Sequence, residues 1–191
     1  MANANKPRGL QPFKMPGGGE PKIGYYAVSS TLTIALGIGQ PMRMSSNGFA
    51  APLRVTSTAT QADLLGGLAE YRPATDVTKD VAIWDDPDQL FVCQYGGTTA
   101  MSRTFIGGTL RLHGLTGVTG YALDNQTTGA VNTTTMLSKA TVMGAAGDTD
   151  STCKVVDYVR GLNNSLTGTY CDLVVKIDHD KHVFGSGAGI A

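Results

Sequence analysis

Short apolar runs separated by glycine, proline, serine and asparagine follow one another along this sequence, and the interruptions come too often for helices. Two stretches have helical spacing, residues 61–68 and 102–112, and neither offers about ten uninterrupted helix-forming residues. β-branched and aromatic side chains between turn residues are instead the signature of strands. The runs fall at residues 23–28, 32–36, 53–56, 81–84, 90–94, 153–159 and 170–177. Residues 65–71 are ambiguous, since their apolar spacing suits a helical turn while Gly66-Gly67 breaks one, and a strand is preferred. The last two runs alternate apolar and polar residues across a Gly/Asn-bearing connection, which predicts an antiparallel hairpin with a long loop.

The predicted fold class is therefore mainly β: a compact antiparallel β-sandwich or barrel-like domain with long Gly/Thr-rich loops and an extended N-terminal arm. Residues 1–21 carry Pro7, Pro12, Pro16, Pro21 and Gly17-Gly18-Gly19, a composition that holds neither a helix nor an interior strand. This arm reads either as terminal disorder or as an extended clamp, with Leu10, Phe13 and Met15 as anchors in a neighbour's groove. Residues 22–183 form the β-rich domain, as one unit or two lobes about a loop-rich middle at 96–147. There, residues 121–124 and Met136-Leu137 are the expected ordered pieces, and 184–191 read as a flexible tail.

Charge narrows the function classes. Fifteen Lys+Arg balance fifteen Asp+Glu, and charged residues make up only 16% of the 191. A neutral chain has no sequence-wide field to attract nucleic acid or an anionic membrane, and its weakly charged surface tolerates close contact with neighbours. The first residues have no apolar leader core, and no apolar run reaches the ~18 residues of a membrane span. An aqueous, cytoplasmic site of synthesis is expected. Cys93, Cys153 and Cys171 form no CxxC pair and are expected to be free buried thiols, with a disulfide between protomers as the alternative.

Catalytic motifs are sparse. The sequence lacks a GxSxG elbow, an HExxH helix and a phosphate-binding GxxxxGK[ST] loop. His113, His179 and His182 are the whole supply of imidazoles for proton transfer. On a strand, Asp178, Asp180 and His182 would face one way and His179 the other, so this group reads as a solvated strand end rather than a metal site. Asp85, Asp86 and Asp88 around Pro87 lack the glycine and distal glutamate of a calcium loop and read as a turn held by side-chain hydrogen bonds. Trp84, Tyr25, Tyr26, Phe91 and Tyr95 read as core, with a sugar-binding platform as the alternative. The Asn-x-Thr/Ser matches at Asn125, Asn132 and Asn163 are expected by chance in a Thr-rich chain. The expectation is a protein that is not an enzyme and takes no cofactor or metal.

Three segments in order resemble the head decoration (cement) proteins of tailed bacteriophages. They are Met-Ala-Asn-Ala-Asn-Lys-Pro-Arg-Gly-Leu-Gln-Pro at 1–12; the strand, acidic proline turn and strand of 81–94, ending in Gln94; and the closing pattern from Val159-Arg160-Gly161-Leu162 through Asn163-Asn164 to Val174-Val175-Lys176-Ile177-Asp178-His179. The resemblance implies a virion structural protein on the outer surface of the mature capsid that bridges subunits of the major capsid protein. It further implies a homo-oligomer, trimer or dimer, with no nucleic-acid or membrane partner. The contact residues expected on this reading are Pro7, Leu10, Pro12, Phe13, Met15, Tyr25 and Tyr26. The alternative is a phage-borne carbohydrate- or receptor-binding β module.

Overall fold

The computed structural model describes residues 3–4, 6–53, 63–76, 80–97, 100–113, 131–132, 135–138, 140–143, 152–161 and 164–184. The strands are β1 (Gln11–Lys14), β2 (Ile23–Tyr26), β3 (Pro41–Met44), β4 (Ala50–Pro52), β5 (Leu64–Leu68), β6 (Val81–Trp84), β7 (Leu90–Gln94), β8 (Thr109–His113), β9 (Val131–Asn132), β10 (Leu137–Ser138), β11 (Thr141–Met143), β12 (Cys153–Tyr158) and β13 (Asp172–Ile177). Every strand-to-strand ladder is antiparallel. A six-stranded sheet in the order β1-β7-β13-β12-β8-β11 packs against a five-stranded sheet in the order β2-β6-β5-β3-β4, with β9-β10 as a separate pair. The protein is a β-sandwich.

Alternation explains the main core. Leu173, Val175 and Ile177 of β13, Cys153 and Val155 of β12, Phe91 and Cys93 of β7, and Leu110 and Leu112 of β8 turn one face inward as a single cluster. From the opposite sheet Leu64 enters the same cluster, and Trp84 packs against it. The five-stranded sheet also has a core on its far side, built from Leu36, Met42, Leu65, Leu68, Val81 and Ile83 among others. β5 is thus buried at every residue, with Leu64 serving one core and Leu65 the other. Gly66 and Gly67 let neighbouring backbone come close: a Cβ on Gly66 (φ +148) would lie 1.7 Å from the Trp84 carbonyl oxygen, and one on Gly67 would lie 2.7 Å from that of Leu10.

Several sequence expectations are corrected. The N-terminal segment is extended but does not stand apart as an arm. Arg8 pairs with Asp172, the Gly9 amide donates to Ala140 at 3.1 Å and the Leu10 amide to Gly39 at 2.8 Å. Residues 11–14 then form β1 along β7. Pro12 is accommodated because β1 is an edge strand. Residues 32–36 are not a strand; they bend around the buried Arg72 guanidinium, which donates to the Leu32 and Ile34 carbonyls at 3.1 and 3.3 Å. Within 102–112 the helical expectation reduces to a 3₁₀ turn at Arg103–Phe105, followed by β8. Residues 54–56, 121–124 and 185–191, along with Asn125 and Asn163, lie outside the described residues.

Candidate functional site

Among the described residues, each sheet has one guarded edge and one open edge. Beyond β11 in the six-stranded sheet, Tyr95 bridges Val142 and the Gly96 amide donates to the Val142 carbonyl at 2.9 Å. Beyond β4 in the five-stranded sheet, Val28 bridges Ala50, whose amide donates to Ala27 at 2.8 Å. No described strand pairs with the outer side of β1 or β2. Their inner partners β7 and β6 are consecutive in the chain and joined by the short 85–89 turn, so the two open edges lie on the same side of the sandwich.

That side carries apolar side chains. Ile23 stands opposite Trp84 and Tyr25 opposite Ala82. Because directly opposed residues share a face and Trp84 packs on the main core, Ile23 and Tyr25 point past the margin of the six-stranded sheet. They are 47% and 73% exposed. On β1, Pro12 faces Phe91 and Lys14 faces Leu90, which leaves Phe13 as the extra residue of a bulge. Phe13 is 45% exposed, with the Lys14 ammonium 5.7 Å from its ring centroid.

Two ion pairs hold the 85–89 turn. Lys22 pairs with Asp86 at 2.9 Å and Lys176 with Asp88 at 2.5 Å. Burial opposes ionisation of Asp86, but the Lys22 ammonium and the Asp88 amide outweigh it and hold the carboxyl below its ordinary range. The Asp88 amide donates to the Asp86 side chain at 2.8 Å, which is the turn expected from the sequence. The Gln89 side chain donates to the Lys14 carbonyl at 3.3 Å. Tyr26, on the face away from Tyr25, donates its hydroxyl to Asp85 at 2.6 Å, and burial together with that hydrogen bond raises the phenol well above its ordinary value. Gly24 lets the carboxylate in, since a Cβ there would lie 2.2 Å from Asp85 Oδ2. The loop at 15–22 that joins the two edges roofs a cleft of about 600 Å³ over Lys22, Asp86 and Lys176.

The seven contact residues expected from the sequence separate accordingly. Phe13 and Tyr25 are on the surface; Pro7, Pro12, Met15 and Tyr26 are half-buried. Leu10 is fully buried in the main core and is corrected as a partner contact. Sequence reasoning missed Ile23, although period-2 alternation would have grouped it with Tyr25 rather than pairing Tyr25 with Tyr26. A five-member aromatic platform does not exist, because Phe91 and Tyr95 are 1% and 3% exposed in the core. The 178–182 segment is not a strand end: Asp178 caps a 3₁₀ turn at His179–Lys181, and His182 is buried. All three cysteines are free and buried.

Among the described residues no group of three or more His, Cys, Asp or Glu side chains is arranged to hold a metal, and no helix is long and apolar enough to cross a membrane. Comparison of the chain with protein-family models, curated proteins and solved structures returns no match.

Proposed function

We propose that this chain is a virion structural protein that docks on the outer surface of a mature phage capsid and stabilises it by bridging subunits of the major capsid protein. The observation that carries the reading is the open side itself: two neighbouring edge strands presenting Phe13, Ile23 and Tyr25. Exposed apolar groups on an uncovered sheet edge are a liability unless a partner covers them. The three segments that resemble head decoration proteins supply the class of partner. Such a protein needs no catalytic group, since binding the expanded shell and not its precursor adds the binding free energy to shell stability. Self-association as a dimer or trimer would multiply weak contacts through effective concentration.

Co-sedimentation with expanded and unexpanded phage heads tests the reading. Saturable binding to expanded heads alone, abolished by Tyr25→Ser together with Phe13→Ser, is the expected result. Absence from both head forms would overturn it.

A further inference from the structure

Beyond β13 the chain turns back on the sandwich as a short strap. The Asp178 amide donates to Thr152 at 2.8 Å, and the 3₁₀ turn His179–Lys181 then delivers His182 to β5. There His182 forms a parallel bridge with Leu64, the Val183 amide donates to the Leu64 carbonyl at 2.8 Å, and Val183 packs against the second core. The His182 side chain is 1% exposed. Its Nδ1 accepts the Phe184 amide at 3.2 Å, and the Phe184 ring lies 5.9 Å away, centroid to centroid.

The acceptor role of Nδ1 fixes the state of the ring. A neutral imidazole that accepts at Nδ1 carries its only proton on Nε2. Protonation would place an N–H on Nδ1, pointing at the Phe184 N–H, so the hydrogen bond would be lost and a cation left in a buried site. The charged and titratable groups around the ring are few. Asp85 and Asp86 of the 85–89 turn favour the cation, as does the Leu65 backbone, while His179 opposes it. The two carboxylates are already engaged, Asp85 by Tyr26 and Asp86 by Lys22. Burial is the largest effect, and the imidazole titrates below its ordinary value of 6.5.

We propose that His182 is the latch of an acid-released strap: the neutral ring holds residues 182–184 on β5, and protonation frees them and uncovers the second core at Val183. The inference goes beyond capsid docking and does not depend on it. The sign follows from linkage. Between the lowered value of the closed strap and the ordinary value of a free histidine, only the released strap binds the proton. The closed form is therefore favoured fully above about pH 6.5 and loses up to about tenfold per pH unit below it.

Hydrogen–deuterium exchange on the full chain from about pH 8 to about pH 5 tests this, with rates corrected for intrinsic exchange. The Val183 and Phe184 amides should lose protection by up to about tenfold per unit below about pH 6.5, while Val175 in β13 stays protected. In His182→Gln, which cannot titrate, protection of the strap should not vary with pH. Flat protection in the wild-type chain, or the same loss in His182→Gln, would overturn the latch. Should His182→Gln not fold, NMR titration of the wild-type imidazole decides. A midpoint below the ordinary value that moves together with the Val183 amide supports the latch. A midpoint at or above that value, or one uncoupled from Val183, refutes it.

Discussion

Replacing Leu10 with alanine tests whether the N-terminal segment belongs to the core or only lies upon it. The side chain is fully buried among residues of both sheets, and its backbone is fixed on two sides, by the hydrogen bond to Gly39 and by the close approach of its carbonyl to Gly67. Removing a buried leucine side chain costs about 2–5 kcal/mol, and more where the surroundings cannot collapse into the space. Here the neighbours on one side are the backbone of Gly67 in β5 and of Gly39 in the turn before β3, which have no side chains to fill the void, so the upper half of that range is expected. For a chain of this size each kcal/mol lowers the melting temperature by about 2–4 °C, and a loss of about 3.5–5 kcal/mol becomes a fall of roughly 7–20 °C. Urea unfolding should show the same loss as a lower midpoint with an unchanged slope. A change under about 0.5 kcal/mol, the level of an ordinary surface substitution, would mean that residues 8–14 are detached in solution and would refute their place in the core. By the same reasoning, deleting residues 1–21 destabilises the domain, contrary to what an independent arm would allow.

Gly66→Ala should prevent folding or cost more than about 3 kcal/mol, because the new Cβ meets the Trp84 carbonyl at 1.7 Å; expression and urea unfolding report it, and near-native stability would contradict the strand geometry. Burial pushes the Cys93 and Cys171 thiols up to about 12 and Cys153 well above its ordinary value. The folded protein should therefore resist a thiol-labelling reagent near neutral pH and label at all three positions only in denaturant, so rapid native labelling would count against the buried arrangement. Tyr25→Ser should leave stability within about 0.5 kcal/mol while weakening sedimentation with expanded heads, and equal losses in both would show a structural rather than a docking role.

The strands legible in the sequence are those whose inward residues are β-branched or aromatic and whose ends are marked by turns. Residues 81–84 and 90–94 match β6 and β7 residue for residue, and the hairpin of β12 and β13 pairs as its alternation predicts. β3 is hidden because it opens on Pro41 and is built of Met42, Arg43 and Met44, none of them a strand-favouring type. β8 is obscured because Ile106 and Leu110 have helical i,i+4 spacing, although Leu110 and Leu112 fit the strand period and Gly107-Gly108 ends the preceding turn. The N-terminal segment misleads for a different reason: its prolines and glycines exclude an interior strand, and they say nothing about an edge strand or about a segment held by side-chain amides. Such amides hold it here. Asn3 exchanges two hydrogen bonds with the Ser165 backbone, at 2.8 and 2.7 Å, and Gln94 bonds both Ala4 and Lys6 at 2.9 Å. Contacts of this kind depend on residues 88 to 162 positions apart and leave no local pattern. The candidate site was legible at Phe13 and Tyr25. It was not legible at Leu10, because nothing in its neighbourhood shows that Gly67 opens a place for it.

The two open edges are not equivalent, and the difference bears on how a partner would be held. β1 contains Pro12, which has no amide to donate, and is bent by the bulge at Phe13. Both are devices that stop a further strand from adding, so β1 is left to contribute side chains. β2 has neither a proline nor a bulge, and its register with β6 is regular from Ile23 to Tyr26. It is also held on both flanks, by Lys22 on Asp86 before it and by Tyr26 on Asp85 within it. An edge already fixed in extended form loses little further backbone entropy when a strand pairs with it, whereas ordering a free segment costs about 1–2 kcal/mol per residue. A partner strand added at β2 would therefore gain its main-chain hydrogen bonds at low entropic cost to this chain. Specificity would then rest on whether its side chains fit Ile23 and Tyr25 along one face, with Phe13 on the same side of the sandwich.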